Sequence, residues 1–206
     1  ERVAEAATDE SQVEWTNRAL GDSVYLMRLT ENLHTATRLQ GGLDPLHGAP
    51  RTDLVELVHQ VGLRFALLGK RKGIEVVSAH PDDPMWIVCD PAMAEQALSN
   101  VVHNAVSHGD AGGHVAIVLE YSENNSFEIR IEDDGPGVPP AELPHLVERT
   151  FRSDAARQRD PRGGGLGLAI TNEICKRAGW SIQFQITKPH GLKVFITGSI
   201  ASSPSP

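Results

Sequence analysis

The sequence predicts an α+β domain, a two-layer sandwich in which a mixed, mostly antiparallel sheet carries its helices on one face. Three observations predict it. Strand-like runs come in adjacent pairs, GHVAIVLEYS with SFEIRIEDD and WSIQFQIT with GLKVFITGS, whereas a Rossmann fold alternates single strands with helices. Segments with a helical apolar period stand between those pairs. Residues 1–40 contain no proline and a single glycine, Gly21, so a long helix leads into the domain.

Taken in order, the elements follow from local patterns. From Ser11 to Arg38 a helix would run about 42 Å, with Leu26, Leu29, Leu33, Ala36 and Leu39 forming an apolar stripe at three- and four-residue steps. Such a stripe is not buried by one helix alone and asks for a bundle or a dimer. Thr8 and Asp9 suit the end of one short helix and the cap of the next. The stretch QGGLDPLHGAP ends the long helix, and residues 42–50 read as a hinge. TDLVELVHQVGLRFALLGKRKG has a helical period and ends on basic residues and Gly73. IEVVSAH and MWIVCD read as strands separated by PDDP. DPAMAEQALSNVVHNAVSHG is a helix, with Asp90 as N-cap, Pro91 in the first turn and Gly109 at its end. Residues 138–165, with four prolines and a run of arginines, read as a long loop containing one short helix. LGLAITNEICKRAG is the last helix, and the tail 201–206 reads as disordered.

Composition narrows the function. With 206 residues, 40% hydrophobic and 22% charged, the chain is globular and long enough for one α/β-sized domain plus an accessory element. A charge of -8, from 27 acids against 19 Lys plus Arg, argues against a nucleic-acid surface. No apolar run approaches the roughly 20 residues that cross a bilayer, so no membrane contact is expected from this segment. Cys89 and Cys175 lack a metal-ligand pattern and read as buried free thiols of a reducing cytoplasm. The nine histidines form no metal-binding spacing.

Three stretches carry chemistry. In SNVVHNAVSHG, Asn100 and Asn104 are four residues apart and share a helix face. Buried among valines they need partners, and a carboxamide oxygen suits Mg²⁺; the plainer reading is a surface pair. In IEDDGPGVP, alternation from Ile129 and Ile131 points Asp133 inward, where it would accept from an exocyclic amine while Gly135 and Gly137 let the backbone come close. The plainer reading is an exposed acidic turn. In GGGLGLAI, glycines lead into a helix N-terminus, which gathers backbone N–H groups into an anion site.

In that order the three stretches resemble the N, G1 and G2 boxes of a bacterial sensor histidine kinase, in the ATPase superfamily that includes gyrase, Hsp90 and MutL. RTFRSD, residues 149–154, is similar to the F box, and YLMRLTENLHTATRLQGG resembles the second helix of the dimerisation and histidine-phosphotransfer hairpin. The resemblance implies a Bergerat-type ATP-binding domain over 51–200 with an ATP lid at 138–162, preceded by a partial helical hairpin at 1–41. It implies that Asn104 holds Mg²⁺ and that Asp133 binds the adenine amine. Gly135 and Gly137 would shape the adenine pocket. Gly163, Gly165 and Gly167, with Leu166 and Leu168 between them, would approach the phosphates, joined by His108, Arg152 and Arg162. For the two arginines a solvated basic loop is an equal reading.

The departures are informative. Gyrase-like ATPases carry a glutamate where this chain has Asn100, and an amide is a poor base, which favours phosphoryl transfer over hydrolysis and gives Asn100 the catalytic position. Ser107 stands where a basic residue is frequent, and Val147 and Thr150 stand where phenylalanines are usual. No histidine lies in an HE[LM]RTPL-like context. The expectation is therefore a piece beginning after the acceptor helix, unable to autophosphorylate alone. The intact protein would be a homodimer, cytoplasmic in this part and anchored in the inner membrane by others, that exchanges ATP for ADP and passes phosphate to the receiver domain of a response regulator. The alternatives are an ATP-driven conformational machine of the gyrase or Hsp90 type, or a degenerate kinase serving as a scaffold.

Overall fold

The computed structural model describes residues 15, 26, 29–42, 46, 48–152 and 164–202. Thr8, Asp9, Arg162 and Gly163, most of residues 11–28 and the greater part of the arginine-rich loop lie outside the described residues.

The first two helices lie where the sequence predicts them. Asp53 caps α1 (Leu54–Lys72) by accepting from Val55 N, and Gly73 closes it in the left-handed region. Asp90 caps α2 (Pro91–His108) by accepting from Ala92 N and Met93 N. The third helix, α3 (Gly167–Ala178), has no side-chain cap at its N-terminus. A short 3-10 turn spans Pro140–His145.

The sheet is mixed and mostly antiparallel. Strands β2 (Glu75–Ala79), β4 (His114–Ser122), β5 (Ser126–Asp133), β6 (Ser181–Ile186) and β7 (Leu192–Ser199) lie in the order β2-β4-β5-β7-β6. Among the described residues only β2 and β4 pair in parallel; β4–β5, β5–β7 and β6–β7 are antiparallel. The IEVVSAH and MWIVCD strands do not neighbour each other. The second becomes β3 (Trp86–Val88) and pairs with β1 (Arg51–Asp53) in a separate two-stranded ribbon. Three residues, RTD, give no apolar period from which β1 could be read.

One face of the sheet meets the helices. Val115, Ile117 and Leu119 from β4, Phe127, Ile129 and Ile131 from β5, and Val194 and Ile196 from β7 are buried against Val58, Val101 and Val102. Each contributes about 1.5–3 kcal/mol when fully buried. Cys89 and Cys175 sit in the same core, and burial first, then the neighbouring Asp90 and Cys89 respectively, pushes each thiol up to about 12, so both are inert. The chain remains held past residue 200, because Ala201 N donates to Trp86 O.

Residues 29–40 are helical and pack on α2 and α3 with only part of the predicted stripe. Leu39 and Ala36 join Met93, Ala97, Ile170 and Ile174, whereas Leu26 and Leu33 are 58% and 61% exposed. The buried places go to Asn32 and Thr35. Thr35 Oγ1 donates to Gln96 Oε1, and Gln96 Nε2 donates to Asn32 Oδ1. A matched amide network offsets the cost of burying those polar groups.

Candidate functional site

The three acids where β5 runs into its turn have three different fates. Glu132 points to the outer face and pairs with Lys193 at 3.0 Å. Asp134 turns to β4, where its Oδ1 accepts from His114 N at 2.8 Å. Slight burial raises its carboxyl, but the His114 hydrogen bonds and charge outweigh this and hold it below the ordinary value.

Asp133 shares the inward face with Ile129 and Ile131, as alternation predicts, and is half-buried. Its Oδ1 accepts two backbone bonds, from Gly135 N at 3.0 Å and Leu192 N at 3.3 Å. Both fall on Oδ1, so Oδ2 is the oxygen left to a ligand. Desolvation raises the carboxyl to about 6; the two N–H bonds work against this, and the charges of Asp134 and Glu132 add to it. Above that pH the side chain is an acceptor only, which matches a ligand amine.

The turn after Asp133 leaves no room for side chains. A Cβ on Gly135 would lie 2.9 Å from Asp133 Oδ1, and one on Gly137, at φ +68°, would lie 2.9 Å from Gly191 O. Gly191, at φ +123°, is buried, and its own Cβ would collide with the carbonyl oxygen of Asp133. The β6–β7 turn is thus the second wall of the site. Sequence reasoning missed it, because HGL has no signature and its place follows only from β7 lying beside β5.

The other two stretches converge on the same corner. The carbonyl of His108, the last residue of α2, lies 3.5 Å from the Cβ position of Gly135, which joins the first stretch to the second. Farther back on α2, Asn100 is 5% exposed and its Nδ2 donates to Gly167 O at 3.2 Å. The fully buried Thr171 reinforces that junction, its hydroxyl 3.0 Å from Gly167 O and 3.2 Å from Ala97 O. Asn104, one turn on from Asn100, is half-buried. A cation near Ser107 comes from α1, since Lys72 Nζ lies 3.4 Å from the carbonyls of Val106 and Ser107.

The glycine loop is anchored by its leucines. Leu166 packs with the Leu39 cluster and Leu168 against the main core. The N–H groups at the start of α3 have no side-chain cap, so they are available to an anion. A Cβ on Gly167 would lie in ordinary contact with Asn100 at 3.5 Å. The backbone there would therefore accept a side-chain methyl without strain. Gly165 is pressed against Thr150 and Phe151, with Thr150 N donating to Gly165 O at 3.2 Å. Arg152 follows directly on that contact.

Among the described residues no group of three or more His, Cys, Asp or Glu side chains forms a metal site. A hard cation that keeps its waters and takes ligand phosphates needs fewer protein oxygens, and the Asn104 carboxamide fits that demand. Among the described residues no helix is long and apolar enough to cross a membrane.

Comparison with known proteins places this geometry in context. Residues 89–200 match the family described as histidine kinase-, DNA gyrase B-, and HSP90-like ATPase. The chain is 30% identical over 180 residues to the sensor protein SphS of Synechococcus elongatus, which covers 84% of this chain and 43% of SphS. It spans less than half the length of the curated relatives it matches first. A mycobacterial sensor histidine kinase, MprB, superimposes with a TM-score of 0.64 at 27% identity, covering 74% of this chain and 97% of that one. Full-length ShkA, solved in complex with AMPPNP, gives 0.72 at 25% identity over 87% of this chain and 36% of its own.

Proposed function

The chain belongs to the histidine kinase-, DNA gyrase B- and HSP90-like ATPases, and on that premise we propose that it is the ATP-binding catalytic part of a sensor histidine kinase. It binds Mg·ATP with adenine at Asp133 and the phosphates at the start of α3, and it presents the γ-phosphate to a histidine on a helix outside this chain. The intact protein, a homodimer, passes the phosphoryl group to an aspartate of a response-regulator receiver domain. Nucleotide exchange is gated by residues 138–162.

The observation that most supports this reading is Asp133, whose Oδ1 is held by two backbone N–H groups while Oδ2 is left to accept from an amine. Asn100 supports transfer over hydrolysis. Its amide is engaged with Gly167 and has no basic group with which to activate water. Asn104 would hold Mg²⁺, which neutralises phosphate charge when bound. His108 and Arg152 stand at the edges of the site, His108 beside Gly135 and Arg152 beside the Thr150–Gly165 contact. The uncapped start of α3 would stabilise charge on the transferring group.

The test is phosphoryl transfer from γ-labelled ATP in a longer chain that carries the acceptor helix. Acid-labile, base-stable label on protein is expected, and this chain alone should remain unlabelled on histidine. Free phosphate without labelled protein would overturn the kinase reading in favour of an ATPase.

A further inference from the structure

The loop between β6 and β7 carries one more polar tie into the adenine site. His190 Nδ1 lies 2.8 Å from Asp134 O and 2.9 Å from Gly135 O. Both partners are carbonyls, so Nδ1 is the donor, and one ring N–H grips two successive peptide groups of the Asp133–Gly137 turn. The next residue, Gly191, packs on the Asp133 carbonyl, and the next, Leu192, holds Asp133 Oδ1. Three consecutive residues of one turn thus seize three consecutive residues of the other.

The geometry points to His190 as a positioning residue for nucleotide-base recognition, fixing the Asp133 turn so that only Oδ2 is offered to the ligand amine. This rests on the proposed ATP site and deepens it. Two features favour positioning over a solvent-exposed contact of no consequence. One bond reaches the carbonyl of the Asp134–Gly135 peptide, whose own N–H is the Gly135 donor to Asp133, and the other reaches the carbonyl of the peptide that follows. The chain around them also has little freedom to compensate, because Gly135 and Gly191 are both buried.

Releasing the tie should loosen the approach of Leu192 N–H to Oδ1 and leave the carboxylate less stabilised. The charged groups around Asp133 are Glu132 on its own strand, Asp134 in the turn that follows, Lys193 on β7 paired with Glu132, His114 on β4 paired with Asp134, and His108 at the end of α2. None of these is altered by substitution at position 190.

The experiment is calorimetric titration of the full chain with Mg·ATP between pH 5 and 8, for the unaltered protein, His190→Ala and His190→Asn. The Asn amide nitrogen reproduces the place of Nδ1–H. His190→Ala is expected to weaken ATP about fivefold and to move the acid-side midpoint of binding to higher pH. His190→Asn should recover affinity to within about twofold, and all three proteins should unfold at similar temperatures, since His190 is exposed and the core is untouched. Equal affinity and an unmoved midpoint in His190→Ala would overturn the inference, as would a loss that His190→Asn does not repair. No ATP binding by the unaltered chain would instead overturn the site reading, and this inference with it.

Discussion

Leu192 N donates to Asp133 Oδ1 across 3.3 Å, so the first residue of β7 holds the acid that ends β5. The two strands are neighbours in the sheet, and the Asp133 carboxylate is therefore fixed by sheet register as well as by its own turn.

That acid sets a pH dependence. Burial raises Asp133 to about 6, and a proton would go to Oδ2, since Oδ1 already accepts two N–H bonds. ATP affinity should accordingly fall as pH drops through about 6, which titrations across that range would show. Stability runs the other way. A carboxyl raised in the folded state disfavours folding once it ionises, so this group's contribution declines between about pH 4 and 6 and is constant above. The difference is about 3 kcal/mol, from roughly two units at 1.36 kcal/mol each. Urea unfolding at pH 4, 5, 6 and 7 would reveal the slope.

Gly191 admits no side chain. Gly191→Ala would drive a methyl into the Asp133 carbonyl at a φ that L residues rarely adopt, costing about 3 kcal/mol. ATP affinity should fall by more than about tenfold with it, because the displaced group is the backbone of Asp133 itself. Thermal unfolding and titration together check this.

Asn100 joins the second helix to the glycine loop. Asn100→Asp would set an acceptor against the Gly167 carbonyl in a site only 5% exposed, and should destabilise by about 2 kcal/mol or more. A purely catalytic group facing a ligand would leave urea unfolding unchanged.

Gln96 is the hub of the contact with residues 29–40, bonded to both Thr35 and Asn32. Gln96→Leu would leave two buried polar side chains without that partner, at about 1–3 kcal/mol. Amide exchange should show earlier opening of residues 29–40 while the sheet remains protected.

What the sequence disclosed follows from how local each signal is. Asp133 was legible because strand alternation is a two-residue rule, and Asp90, Pro91 and Gly109 marked the second helix because caps act within one turn. His190, Gly191 and Leu192 were not legible, since their roles arise from a contact between chain segments more than fifty residues apart. The buried face of residues 29–40 was only partly legible for a related reason, since Ala36 and Leu39 do face the interface. Apolar periodicity favoured Leu26 and Leu33, but the partner helix offers Gln96, and amide pairing settled Asn32 and Thr35 into the interface.

The most direct test of the central claim compares ATP with ITP, whose base carries a carbonyl in place of the amine, on the unaltered chain and on Asp133→Asn. Asn keeps Oδ1 for Gly135 and Leu192 and presents a donor where Oδ2 was. The account predicts that the unaltered chain binds ATP at least about 100-fold tighter than ITP. Asp133→Asn should lose ATP, narrow or reverse that preference, and unfold at a higher temperature because a buried charge is gone. Equal binding of the two nucleotides by the unaltered chain, or an Asp133→Asn protein that still prefers ATP, would contradict it.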